Sequence, residues 1–190
     1  MEILKPNKLW VADITYIVIG NGYAYLFLIT DAYSRKIVGH YLSESMEADG
    51  GIQALRMALS GVDWQNRTGM IHHSDRGVQY CSHNYVKLLE GSKMLISMTQ
   101  NGDPYENAIA ERVNGVLKQE WIHNEQYQNF EQAKVRITEI IEIYNSKRPH
   151  LSCDMLTPQD AHNHSGKMNK HWKNYKQNYK QNELTTIEVK

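Results

Sequence analysis

The chain has 190 residues, 41% of them hydrophobic, and its 21 Lys+Arg are balanced by 21 Asp+Glu. That is enough for one ordinary core with a short extension, and too little for two full domains. The longest apolar runs, near residues 9–19 and 23–30, are too short and too strand-like to cross a bilayer, no secretory leader pattern is visible, and Cys81 and Cys153 match neither a metal-binding spacing nor a disulfide scaffold, so a soluble cytoplasmic protein with free thiols is expected.

Leu9 to Ile19 is rich in β-branched and aromatic residues and apolar on both alternating faces, the pattern of a central strand covered on both sides. Gly20, Asn21 and Gly22 break it. Tyr23 to Thr30 and Lys36 to Tyr41 follow as two more strands, separated by the turn-like Tyr33-Ser34-Arg35, and together the three predict an antiparallel meander. Ile52, Leu55, Ala58 and Leu59 then repeat at helical spacing, which predicts a helix over Ala48 to Ser60 despite Gly50 and Gly51. Met70 to Ser74 is a short strand ending at Asp75, Ser82 opens a helix running to about Glu90, and Leu95 to Met98 is a fifth strand. This order predicts an α/β fold with a mixed five-stranded sheet, three antiparallel strands and then two further strands, flanked by helices.

From Asn107 onward Ile109, Val113, Val116 and Leu117 fall on one side of a helical wheel, and Asn107, Glu111, Asn114 and Lys118 on the other. Glu120 departs from this by sitting on the apolar side. Asn129 with Gln132 caps a further helix whose core stripe is Ala133, Ile137, Ile140, Ile141 and Tyr144, and Thr157 before Pro158 opens a short last one. The expected domain is residues 1–162, with 163–190 a polar, basic tail. In that tail lysines recur every three or four residues beside Trp172, Tyr175 and Tyr179, which reads either as a solvated segment or as a basic helix lying along phosphates.

The zero net charge conceals a gradient, with 9 Lys+Arg against 12 Asp+Glu up to Glu111 and 12 against 9 after it. Such a division suits an enzyme that holds cations and a polyanion together, although a difference of this size also arises by chance. The informative acids are three. Asp13 lies inside an apolar strand, where an ionised carboxylate costs several kcal/mol or more (about) unless a cation or donor compensates. Asp75 ends another strand, and Glu111, 36 positions further on, sits in the polar stripe of a helix. Each alone has a plainer reading, as a turn cap, a loop residue or an exposed helix acid. Together they form a set that would repel itself without a bound cation, and hard, oxygen-preferring Mg²⁺ or Mn²⁺ fits it. Two such ions, roughly 4 Å apart, are the machinery of in-line phosphoryl transfer. Asp31 is the rival third acid, read here as an anchor for the turn containing Ser34 and Arg35. His72 and His73 are neighbours on a strand, face opposite ways and make a poor zinc site, although His73 could line the cleft.

These residues resemble a known family, the insertion-sequence transposases of the OrfB type (IS-three group), whose catalytic core is similar to that of retroviral integrases. LWVADITYI, ITDAYSRKIVGH, HHSDRGVQY, ENAIAERVNGVLKQE, YNSKRPH and MLTPQDA look like its motifs, in order, over roughly residues 5–162. The resemblance implies an RNase H-like fold, a DDE triad of Asp13, Asp75 and Glu111 holding two Mg²⁺ (or Mn²⁺) ions, and nicking of an element end followed by attack of the freed 3′-hydroxyl on a second phosphodiester. It places Lys118 against the DNA end, makes Asn107 a positioning or substrate residue, and leaves Arg148 and His150 between DNA contact and local structure. It also implies DNA as partner, a homo-oligomer working on paired ends, and association with the bacterial nucleoid. Such proteins normally carry a helix-turn-helix region upstream. None is found here, so an excised catalytic domain, or recognition supplied by a separate chain, is expected, with weak nonspecific DNA binding retained. Two other functions compete: an RNase H-like nuclease that only hydrolyses, against which the long Asp75–Glu111 spacing and the C-terminal motifs argue, and a non-catalytic DNA-binding remnant, against which the intact acids argue.

Overall fold

The computed structural model describes residues 2–99, 107–169 and 171. Five strands, β1 (Leu9–Ile19), β2 (Gly22–Asp31), β3 (Ile37–Ser43), β4 (Ile71–Ser74) and β5 (Leu95–Met98), form one sheet in the order β3-β2-β1-β4-β5. β1 pairs antiparallel with β2, and β2 with β3, whereas β4 runs parallel to both β1 and β5. Five α-helices accompany it: α1 (Ala48–Ser60), α2 (His83–Gly91), α3 (Ala108–Glu120), α4 (Phe130–Lys147) and α5 (Pro158–His162). The mixed sheet expected from the sequence is the one observed.

The absence of a clean polar alternation in β1 and β2 follows from helices on both faces. Trp10, Ala12, Phe27 and Ile29 pack on one face with Ala54, Leu55 and Tyr85 from α1 and α2. Ile17, Leu26 and Leu28 point the other way, into Val113, Leu117, Ile137 and Ile141 from α3 and α4. Asp13 shares the parity of Val11 and Ile17, so it faces α3.

The two glycines that weaken α1 as a sequence are explained by proximity. A Cβ on Gly50 would stand 2.3 Å from a ring carbon of Phe27, and one on Gly51 3.2 Å from the Tyr85 ring. Close approach of α1 to the sheet offsets the roughly 1 kcal/mol that each glycine costs a helix. From the sheet side Gly39 does the same, since a Cβ there would lie 2.2 Å from the Ala54 carbonyl oxygen.

Caps behave largely as the sequence implies. The Asn129 side chain accepts from the Gln132 N–H at 2.9 Å, and Thr157 Oγ1 from the Asp160 N–H at 3.1 Å. Ser82 stands at the start of α2 but makes no capping bond with its side chain. His72 and His73 face opposite ways, as expected. His72 is fully buried, 2.9 Å from the Tyr85 hydroxyl, and burial pushes its pKa down to about 3, while His73 Nδ1 lies 2.9 Å from Ser97 Oγ on β5.

Beyond α5 the chain folds back on the core. The Gly166 N–H donates to the Leu4 carbonyl at 2.7 Å, the Tyr33 hydroxyl donates to the Gly166 carbonyl at 3.0 Å, and the His171 N–H donates to the Leu151 carbonyl at 2.9 Å. The stripe of Trp172, Tyr175 and Tyr179 lies outside the described residues. No helix among the described residues is long and apolar enough to cross a membrane, and Cys81 and Cys153 are both free thiols.

Two glycine substitutions test this packing with opposite signs. Gly39→Ala forces β3 away from α1 and lowers the unfolding free energy by about 1–3 kcal/mol in urea titrations. Gly115→Ala adds a Cβ with no described atom within 4 Å inside α3 and raises it by about 0.5–1 kcal/mol. Equal effects at both positions would contradict the close β3–α1 approach.

Candidate active site

The site is assembled around Asp13. Its Oδ1 accepts from the Ile14 N–H at 2.9 Å and its Oδ2 from the Asn114 side-chain amide at 2.6 Å. Burial raises the Asp13 pKa, the bonds from Asn114 and Ile14 oppose the rise, and repulsion from Asp75 and Glu111 adds to it. Asp75 and Glu111 therefore both lie within electrostatic reach of Asp13.

The elements explain why. Val11 on β1 is paired with His73 on the parallel β4; Asp13 follows two residues further along β1, and Asp75 stands one residue past the end of β4. Asp75 leaves the sheet edge in an exposed loop, its Oδ1 accepting from the Gly77 N–H at 2.9 Å. Glu111 is exposed in the first turn of α3. That helix is tied to β1 at two points on either side of Glu111. Asn107, at its N-cap, donates from its side-chain amide to the Ala12 carbonyl at 3.0 Å, and Asn114, one turn beyond Glu111, donates to Asp13.

Lys118 lies one turn further along the same stripe. Its Nζ sits 4.3 Å from the centre of the Tyr16 ring, and while burial lowers its pKa, the nearby Asp13 raises it. Tyr80 is buried beneath the site. Its hydroxyl has no hydrogen-bond partner among the described residues, and burial, with Tyr85, Asp13 and Asp75 nearby, holds its pKa well above the usual phenol value.

Other candidates separate from this group. Asp31 is fully buried, and its Oδ1 accepts from the Tyr33 N–H, the Ser34 N–H and the Ser34 hydroxyl at 3.1, 2.8 and 2.8 Å, while Oδ2 accepts from the Asn7 N–H at 2.7 Å. It is the turn anchor expected of it. Arg148 forms a two-pronged pair with Glu120 at 2.7 and 2.5 Å, which explains why Glu120 interrupts the apolar stripe of α3. His150 is 6% exposed, stands 3.1 Å from Ser152 Oγ and has its pKa pushed down to about 4, chiefly by burial and then by Arg148, Arg35 and Arg112. Both line a space beside Arg112 and Val116, on the side of α3 turned from Glu111. His150 is 6% exposed, and Asn107, 7% exposed, gives its side-chain amide to β1. Asn114 went unassigned in the sequence, although it stood on the Glu111 stripe of the wheel.

An all-oxygen set of three acids, one partly buried in an unfavourable charged state, has the chemistry to hold a hard divalent cation. As the side chains stand, no three His, Cys, Asp or Glu groups among the described residues are close enough together to hold one ion.

A mixed five-stranded sheet of this order with helices on both faces is the RNase H-like fold. Solved structures agree on the fold. The chain matches the simian T-cell lymphotropic virus intasome in complex with PP2A regulatory subunit B56 gamma at a TM-score of 0.71, 18% identity, over 86% of this chain and 57% of that one. It matches the HTLV-2 integrase catalytic core domain in complex with magnesium at a TM-score of 0.66, 17% identity, over 84% and 98%. Residues 4–104 match a family model described as integrase core domain, and residues 92–158 match a second model of the same description. The chain belongs to the integrase core domain family. Its relatives include the transposase for insertion sequence element IS629 of Shigella sonnei, 37% identical over 145 residues (76% of this chain, 48% of that protein). Another is transposase InsF for insertion sequence IS3A of Escherichia coli (strain K12), 36% identical over 161 residues (83% and 54%). The chain spans about half the length of these curated relatives.

The raised Asp13 pKa has a measurable sign. The folded state holds a proton there more tightly than the unfolded state does, so in metal-free protein Asp13 lowers stability progressively as pH rises from its ordinary 3.8 through its raised value. Asp13→Asn removes this penalty. In metal-free urea titrations the variant gains on the wild type as pH rises from about 4 to about 7. A difference independent of pH would show that Asp13 is not strained by its surroundings.

Proposed function

We propose that this chain is the catalytic domain of a DNA transposase of the integrase type, and that Asp13, Asp75 and Glu111 hold two Mg²⁺ or Mn²⁺ ions at which one DNA strand is cut and joined to another. What supports this reading is that Asp75 and Glu111 both act electrostatically on Asp13, beneath a helix that two asparagines tie to β1. When bound, the ions supply charge neutralisation on the phosphate and a lower barrier to deprotonating the attacking hydroxyl.

The remaining work falls to the chain's own residues. Asn114 holds the Asp13 carboxylate in one orientation, as outer-shell partners do for metal ligands. Asn107 sets the entry of α3 and so the position of Glu111. Lys118, whose ammonium rests over the Tyr16 ring, would turn it to a DNA phosphate next to the carboxylates. DNA is the substrate and partner in this reading, and a homo-oligomer bridging two DNA ends is the working form.

A strand-transfer assay on pre-nicked duplex ends with Mn²⁺ tests this. Joined products are expected, reduced to background in Glu111→Gln with the circular-dichroism spectrum unchanged. Asn114→Ala is expected to lower metal affinity or activity by about 10- to 100-fold. Cleavage without joining would instead make the chain a nuclease, and neither product would make it a binding remnant.

A further inference from the structure

The side of α3 turned from Glu111 carries a second cluster of charge. A cavity of about 490 Å³ is lined by Arg35, Arg112, Arg148 and the buried His150. Its charges do not cancel. Glu120 pairs with Arg148, but Arg112 makes no hydrogen bond or ion pair among the described residues, and Arg35 has a buried Nη1 without a partner among them. Arg35 is also built into place at a cost. Its backbone adopts φ 64°, a left-handed conformation unusual for a residue with a side chain, secured by its N–H donating to the Asp31 carbonyl at 2.9 Å and its carbonyl accepting from the Tyr144 hydroxyl at 3.0 Å. His150 feels all three guanidinium groups. The same wall continues into a neighbouring cavity of about 670 Å³ that shares Arg35, Ile109 and Ser152 and has Lys167 on its lining.

We infer that this cavity is a second phosphate site, in which Arg112 and Arg35, beside the Glu120-paired Arg148, hold the backbone of duplex DNA on the side of α3 away from the carboxylates. A guanidinium without a partner among the described residues, Arg112, on the same cavity lining as Arg35 with its unpaired Nη1, suits a phosphate, whose several oxygens accept from more than one donor at once. The run of the wall from Arg112 past Arg35 toward Lys167 suits a polyanion better than a single small ion. The inference rests on the DNA-handling reading above, but concerns a surface that plays no part in the chemistry. It makes α3 a partition, with the reacting phosphate on one side and a gripped backbone phosphate on the other.

The test uses the whole chain and a nonspecific duplex of about two helical turns, with binding measured across salt concentrations. Arg112→Ala is the informative variant, because its side chain supports nothing else among the described residues. It is expected to weaken binding about tenfold at low salt and to reduce the salt slope by about one. The His150 ring, followed by NMR, reports occupancy, since a bound anion relieves the guanidinium repulsion and moves its titration up from about 4 when duplex is added. Lys118→Ala should weaken binding yet leave this His150 response intact. An unchanged slope in Arg112→Ala, or duplex binding to which His150 does not respond, overturns the inference while leaving the strand-transfer reading untouched. A response to inorganic phosphate alone overturns it too, by making the cavity a small-anion site, whereas absence of any duplex binding overturns both readings.

Discussion

Two asparagine amides set the geometry on which the rest of the site depends. Asn107 bonds a carbonyl of β1 and Asn114 bonds the Asp13 carboxylate, seven residues apart on one stripe of α3. A seven-residue step returns a helix to nearly the same face, so the two bonds fix both the rotation of α3 about its axis and its height above the strand. Glu111 lies between them and has little choice about where it projects. Apolar packing of Val113, Val116 and Leu117 holds the helix to the sheet but would tolerate some sliding, whereas two directional bonds to one strand would not.

The same arrangement accounts for the site's electrostatics. Asp75, just past the end of β4, and Glu111 on α3 both add negative charge where desolvation already disfavours the Asp13 carboxylate. Such a cluster is poor for the stability of the bare chain and well suited to a cation. Opposing it across α3 are the guanidinium groups of Arg35, Arg112 and Arg148, which add to burial in holding His150 in the neutral form. A net charge of zero over the chain thus hides two regions of opposite sign, separated by the width of one helix.

Much of this was legible in the sequence, for physical reasons that differ by element. β1 is legible with its observed ends because a long β-branched run bounded by turn residues admits few other structures, and α1 because its apolar spacing survives Gly50 and Gly51. The wheel of α3 placed Asn107, Glu111, Asn114 and Lys118 together, since periodicity alone fixes which residues share a face. It could not say what that face meets. The bond from Asn114 to Asp13 joins residues 101 apart, the Glu120–Arg148 pair joins residues 28 apart, and the burial of His150 depends on how the segment after α4 folds back. Each is a tertiary fact with no local signature. Glu120 is instructive, because its misfit on the apolar stripe was visible while the arginine that resolves it lay on another helix's end.

The claim on which everything turns is that Asp13, Asp75 and Glu111 act as one set of metal ligands, and crystals grown with Mn²⁺ and examined by anomalous diffraction measure it directly. The account predicts manganese ligated by Asp13 and Asp75, with Glu111 turned in to complete the set, at roughly 2.0–2.3 Å from carboxylate oxygens. Manganese bound elsewhere, or held by the aspartates with Glu111 left facing solvent when DNA is also present, would contradict it.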